Sequence, residues 1–157
     1  MLTESMEDYL EMIYRLFEER GYVRAIELAQ ALQVQPPSAT RMIQKLDEEG
    51  FIRYERYRNI SLTQRGLEIG RFLVWRDQVL RDFLVTLSGK NDVHDQVEGI
   101  EHYITPWTMG WIRNLVNFLR ANPQHIHQVR QSQTDDYPGN EDLRELRAWN
   151  FRHPSTS

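Results

Sequence analysis

Pro36-Pro37-Ser38-Ala39-Thr40-Arg41-Met42-Ile43-Gln44-Lys45-Leu46-Asp47-Glu48-Glu49-Gly50, followed directly by Phe51-Ile52-Arg53-Tyr54-Glu55-Arg56-Tyr57-Arg58-Asn59-Ile60-Ser61-Leu62, is the stretch that decides the fold. Prolines fit the first turn of a helix, where a missing amide hydrogen costs nothing, and Gly50 suits its end. The pattern then turns β-prone, with Arg58-Asn59 as a turn-like pair between two runs, so a small hairpin is expected. Upstream, Ala25 to Leu32 is rich in helix formers, and Gln33-Val34-Gln35 breaks it from the proline-led helix. Further back, Met6, Leu10, Ile13 and Phe17 recur at spacings of three and four, one face of a helix with Ser5 as its candidate N-cap and Gly21 as its end. Helix, short turn, helix and hairpin is the order of a winged helix-turn-helix, whose second helix lies in the major groove of DNA.

Downstream, Thr63 is placed to cap a long helix with Leu67, Gly70, Leu73, Val74, Val79, Leu80, Phe83 and Leu84 at its apolar positions, ending near Gly89 and Asn91. A second helical block is expected from Asp92, as N-cap, to about Tyr103. Thr105-Pro106 then restarts the chain as cap and first-turn proline, and Ala121-Asn122-Pro123 stops the helix that follows. Trp107, Trp111 and Phe118 exceed what one small helix can bury within its own subunit, which points to a homodimer. Beyond Gln131 the chain turns polar, with one short helix expected from Glu141 to Trp149. The expected fold class is mainly α: an N-terminal winged helix-turn-helix with a small β-hairpin wing, followed by an all-helical domain. The expected division is 1–63 for DNA binding, 64–86 for a linking helix, 87–131 for metal binding and dimerisation, and 132–157 as a tail with no role assigned. His125, His127 and His153 are scattered in polar segments and read as solvated.

The 157 residues are 40% hydrophobic and 27% charged, with a mean hydropathy of -0.64. No run approaches the roughly 20 apolar residues of a membrane helix, and the acidic start, Glu4, Glu7 and Asp8, is unlike a secretory signal. The absence of cysteine excludes disulfides, thiolate metal sites and cysteine nucleophiles, and makes a reducing cytoplasm the expected home. The net charge of -4 hides a local excess of Arg53, Arg56, Arg58 and Arg65 over Glu55. On the second helix Arg41 and Gln44 are able to read guanine and adenine edges, while Ser38, Thr40 and Lys45 suit phosphates. Pro37 and Tyr57 complete the expected interface, and Arg56 and Arg58 at the hairpin tip grip the backbone or enter the minor groove. The plainer alternative, a solvated helix face, is disfavoured by the arginine-bearing hairpin directly after Gly50.

Acidic residues form a second pattern. Asp8 and Glu11 lie three apart, and Glu98, Glu101 and His102 occupy positions i, i+3 and i+4, so each set shares a helix face. Like charges at that spacing repel, and a divalent cation turns repulsion into coordination. Carboxylates with one imidazole and no sulfur favour an ion such as Mn²⁺. The plainer alternative is solvated acid beside an ordinary histidine. A di-metal carboxylate enzyme would need a second Glu-x-x-His motif, which is missing; a zinc-protease signature would need histidine where Glu98 stands.

Taken together, Ser5-Met6-Glu7-Asp8-Tyr9-Leu10-Glu11-Met12-Ile13-Tyr14, Pro36 to Leu46, the wing from Tyr57 to Leu62 with Thr63 to Gly66, and Val97-Glu98-Gly99-Ile100-Glu101-His102 resemble the diphtheria toxin repressor family over about Thr3 to Leu119. The manganese transport regulator branch is the nearest likeness, since iron-type members carry Met in place of Asp8 and Cys in place of Glu101. The resemblance implies a homodimeric repressor of metal-uptake genes that binds a palindromic double-stranded DNA operator, with Mn²⁺ as co-repressor and Fe²⁺ or Zn²⁺ as the alternatives. It implies Asp8, Glu11, Glu98, Glu101 and His102 as ligands, with Glu11 and Glu101 bridging two ions. Asp77 stands where the family has histidine, which makes it the sixth expected ligand and leaves one ion per subunit as the alternative to two.

Overall fold

Thr3 opens the molecule. Its backbone is extended, its side chain accepts from the Met6 amide, and α1 runs Glu4–Arg20 to a left-handed Gly21 at φ 75°. Ser5, expected as the cap, lies inside the first turn instead, because the Thr3 hydroxyl is the oxygen that meets the orphaned amide. The computed structural model describes residues 2–55 and 59–132. Arg56, Tyr57 and Arg58 of the expected wing tip lie outside the described residues, as do His153 and the helix expected from Glu141 to Trp149.

Helix α2 is Ala25–Ala31, and α3 is Pro36–Glu48 with prolines in its first turn. The connection passes through Gln33 at φ 54°, a left-handed conformation costly for a residue with a side chain. Strand β1, Ile52–Arg53, pairs antiparallel with β2, Ser61–Leu62, with Ile52 opposite Leu62. Val23 bridges to Ile60 from the turn before α2. The ladder is shorter than expected because Tyr54 leaves it: its amide donates to Asp47 Oδ1 at 3.3 Å on the end of α3.

Thr63 caps α4, Gln64–Ser88, accepting from the Gly66 amide at 3.1 Å while its hydroxyl reaches the carbonyl oxygens of Gly50 and Phe51 at 2.8 and 2.9 Å. This one residue locks the wing to the long helix. Helix α5, His94–Ile100, starts from Val93 rather than Asp92, because Val93 is buried and anchors the turn. A 3₁₀ turn, Glu101–Tyr103, follows it, so Glu98 and His102 do not share one continuous α-helix as expected. Thr105 caps α6, Pro106–Ala121. Pro123 then opens α7, Pro123–Gln131, a helix without buried residues that the apolar pattern does not reveal.

Two apolar cores sit on α4. Leu73 joins Met6, Leu10, Ile13, Ile43, Leu46, Phe51 and Ile60 in the first, and Val79 and Leu80 join Val93, Val97 and Met109 in the second. Between them, on the same helical stripe, lie Arg76 and Asp77, both buried. The junction of the two cores is therefore polar. No described helix is long and apolar enough to cross a membrane.

Candidate metal centre and nucleic-acid face

The polar junction brings together groups from three elements. Helix α1 supplies Glu7, Asp8 and Glu11, α4 supplies Arg76 and Asp77, and the end of α5 with its 3₁₀ turn supplies Glu98, Glu101 and His102. Asp8, Glu98, Glu101 and His102 each offer one ligand atom, and these atoms lie within 4.8 Å of one another. His102 Nε2 is 3.3 Å from Asp8 Oδ1 and 3.8 Å from Glu101 Oε1.

Electrostatics makes the cluster unstable as it stands. Glu101 is 3% exposed, and its Oε2 has no hydrogen-bond partner among the described residues, although Arg76 Nε, also unpartnered, lies 3.8 Å away. Burial pushes the Glu101 carboxyl up to about 7, with the charge of Glu11 adding and that of Arg76 opposing. Burial also raises Asp8, against the pull of His102. Burial disfavours charge on His102, but the hydrogen bond to Glu7 and the charge of Asp8 outweigh it and the imidazole is raised. An orphaned buried carboxylate oxygen amid oxygen and nitrogen donors is a set that a divalent cation satisfies, and its lack of sulfur suits a hard or borderline ion.

Glu11 and Asp77 are held differently. Arg15 Nη2 lies 2.7 Å from both Glu11 Oε1 and Asp77 Oδ2, and Arg81 Nη2 donates to Asp77 Oδ1 at 2.9 Å. Sequence reasoning missed Arg15, Arg81, Arg76 and Glu7. The first two were detectable as i, i+4 partners of Glu11 and Asp77; Arg76 was marked only by its place on the buried stripe between Leu73 and Leu80.

Glu7 has a positioning task. Its Oε2 accepts from Arg76 Nη1 at 2.8 Å and lies 2.9 Å from His102 Nδ1. A carboxylate at Nδ1 favours the tautomer that carries its proton there, which would leave Nε2, on the side of Asp8 and Glu101, to ligate an ion. Glu7→Gln is therefore expected to weaken metal binding by about 10–100-fold, the range for such outer partners. Calorimetric titration measures this; unchanged affinity would remove Glu7 from the site.

On α3, Pro37, Ser38, Arg41, Gln44 and Lys45 are exposed, while Thr40 is half-buried and its hydroxyl donates to the Pro36 carbonyl oxygen at 3.0 Å. Arg53 is exposed on β1. Arg65 has other work: its guanidinium sits 4.2 Å over the Phe51 ring and donates to the Glu49 carbonyl oxygen. On α6, Met109 packs in the second core and Val116 and Leu119 are buried, while Trp107 at 75% exposure, Trp111 at 61%, Leu115 and Phe118 form an uncovered stripe on another face. Such a contiguous apolar surface marks an interaction site.

Fold and site together define a DNA-binding regulator with a metal-binding, dimerising second half. Residues 1–60 match the family model of the iron dependent repressor N-terminal DNA binding domain, and residues 63–129 match that of the iron dependent repressor metal binding and dimerisation domain. The HTH-type transcriptional regulator MntR of Shouchella clausii is 45% identical over 144 residues, 90% of this chain and 100% of the relative. That of Bacillus subtilis is 44% identical over 134 residues, 85% and 94% of the two chains. Among solved structures, a manganese-dependent transcriptional repressor in complex with manganese is similar at 29% identity and a TM-score of 0.60, covering 71% of this chain and 52% of that one. ScaR with bound Zn²⁺ is similar at 28% and 0.59, covering 72% and 54%. This chain thus spans about half the length of those solved chains. The chain belongs to the iron-dependent repressor family: it is a helix-turn-helix transcriptional regulator, not an enzyme, and its partners are DNA, a divalent metal ion and a second copy of itself.

Proposed function

We propose that this regulator is a manganese-responsive repressor of metal-uptake genes, acting in the cytoplasm as a homodimer on a palindromic operator. One observation carries the reading: a sulfur-free cluster of Asp8, Glu98, Glu101 and His102 joins α1 of the DNA-binding half to the 3₁₀ turn of the other. The similar solved repressor that holds manganese supports the choice of ion. Functionally, 1–63 reads DNA, 64–86 links, and 87–131 binds metal and dimerises; 132–157 is given no role.

When bound, the ion supplies a compact double positive charge to donors from both halves. Without that charge, burial and the nearby charge of Glu98 raise the cost of ionising Asp8, and α1 has reason to move away from the 3₁₀ turn. With the donors converged, α1 is held against the 3₁₀ turn and the end of α5, and α3, packed on α1 through Ile43 and Leu46, inherits a fixed orientation. In a dimer this restricts the two α3 helices to spacings that match major grooves about 34 Å apart. The effect is allosteric as long as the DNA-competent arrangement holds the ion more tightly. Pro37, Ser38, Thr40, Arg41, Gln44 and Lys45 present the reading face, with Arg56, Tyr57 and Arg58 assigned to the wing contact.

Fluorescence anisotropy with operator DNA at fixed ionic strength, across Mn²⁺, Fe²⁺, Zn²⁺ and Mg²⁺, tests the function. Tight binding with Mn²⁺ and loss with chelator is expected; equal affinity in chelator would remove the sensor role, and stronger activation by Fe²⁺ or Zn²⁺ would change the ion. Trp111→Asp is expected to weaken dimerisation by about 30-fold or more, the effect of losing an aromatic anchor. Sedimentation reads it, and an unchanged dimer would place the interface elsewhere.

A further inference from the structure

The geometry points to a single metal ion per subunit, with the guanidinium of Arg15 serving as a built-in cation between Glu11 and Asp77, where a second ion would otherwise bridge them. This rests on the metal-responsive reading above and deepens it by assigning the number of ions. A single nitrogen, Arg15 Nη2, lies 2.7 Å from an oxygen of each carboxylate, the bridging place of a shared cation. Arg15 Nε adds a second bond to Glu11 at 2.9 Å. The other Asp77 oxygen accepts from Arg81 at 2.9 Å, so both oxygens of this side chain, 8% exposed, are taken by guanidinium groups.

Charge balance agrees with the contacts. Glu11 and Asp77 carry two negative charges and face two positive ones, Arg15 and Arg81. Arg76 is committed chiefly to Glu7, at 2.8 Å. Asp8, Glu98 and Glu101 remain, gathered around Nε2 of His102, with an excess of negative charge that suits one divalent ion. A second dication between Glu11 and Asp77 would have to displace Arg15 and would lie beside Arg81 on Asp77, where like charges repel. Aspartate at position 77 fits this arrangement because a carboxylate accepts charge-assisted hydrogen bonds from two arginines at once.

Mn²⁺ titration of the full chain by calorimetry, with the ion count read by native mass spectrometry, decides the matter without any DNA-binding readout. One ion per subunit is expected. Asp77→Asn should keep that count and shift the dissociation constant by no more than about twofold, as for independent sites. Arg15→Met should raise the count to two, because it leaves Glu11 without its guanidinium partner and frees Asp77 Oδ2, and Arg15→Lys, which restores a cation, should return it to one. Two ions on the unaltered chain overturn the inference, as does a folded Arg15→Met that still takes one. Absence of any bound ion would instead overturn the metal-responsive reading itself. Should Arg15→Met fail to fold, the unaltered chain and Arg15→Lys still decide between one ion and two.

Discussion

Glu101→Gln is expected to lower Mn²⁺ affinity by more than about 100-fold, beyond the range for outer partners, while leaving the metal-free fold as stable or more stable at pH 8. The two effects have one cause. The Glu101 carboxyl is buried with an oxygen that nothing bonds, and it is pushed up to about 7 from an ordinary value of 4.5. A carboxyl that holds its proton more tightly in the folded state than in the unfolded one favours folding at low pH. That contribution is fully present below about pH 4.5 and is lost as the pH rises through about 7. Glutamine carries no charge, so the variant's stability should vary less across that window. Metal binding runs the other way: the ligand must give up its proton, so the unaltered chain should bind Mn²⁺ more tightly as the pH rises through about 7. The raised His102 imidazole adds in the same direction. Titration calorimetry and thermal unfolding at pH 5.5 and 8 read both arms. A variant that binds Mn²⁺ normally, or one destabilised at pH 8, would make Glu101 a structural residue.

Gly66→Ala is expected to cost about 3 kcal/mol of stability or more, lowering the melting temperature by roughly 6–12 °C in a chain of this size. A Cβ at Gly66 falls on the carbonyl oxygen of Phe51, with the Phe51 carbonyl carbon at 3.0 Å and Leu62 Cδ2 at 3.1 Å. That carbonyl oxygen already accepts from the Thr63 amide at 3.1 Å and the Thr63 hydroxyl at 2.9 Å. It is backbone pinned from two sides and cannot move aside as the tip of a side chain does. Relief requires prising the wing from α4, so DNA affinity should fall with stability. Gly70 obeys a similar constraint against Tyr14, whose Cβ lies 2.7 Å from a Cβ built there. Gly99, beside Glu98, has nothing within 4 Å, and Gly99→Ala is the control, expected to stay within about 0.5 kcal/mol. A Gly66→Ala chain melting like the unaltered one would show that wing and helix are less tightly joined than their hydrogen bonds indicate.

Much of the architecture was legible because it rests on local chemistry. The first-turn prolines of α3, the left-handed glycines at 21 and 89, and the caps at Thr63 and Thr105 act within a few residues and are readable from spacing. The cap at Thr3 was missed in favour of Ser5, two positions on, since either residue type serves and only the backbone decides. Helix α7 was missed because it buries nothing and so has no apolar period to read. The acidic residues were equally readable, but what each one faces was not.

Local residue chemistry determined the order of the helices, the winged helix-turn-helix, the exposed polar face of α3 and the sulfur-free character of the acidic groups, because capping, periodicity and ligand hardness are properties of neighbouring residues. Folding alone decided that Arg15 from α1 lies between Glu11 and Asp77, that Glu7 orients His102, and that Glu101 is left with an unpaired oxygen. These pairings join residues as far apart as 95 positions. They exist because α4 carries one polar step between two apolar cores, and whatever packs beside that step must match its charge.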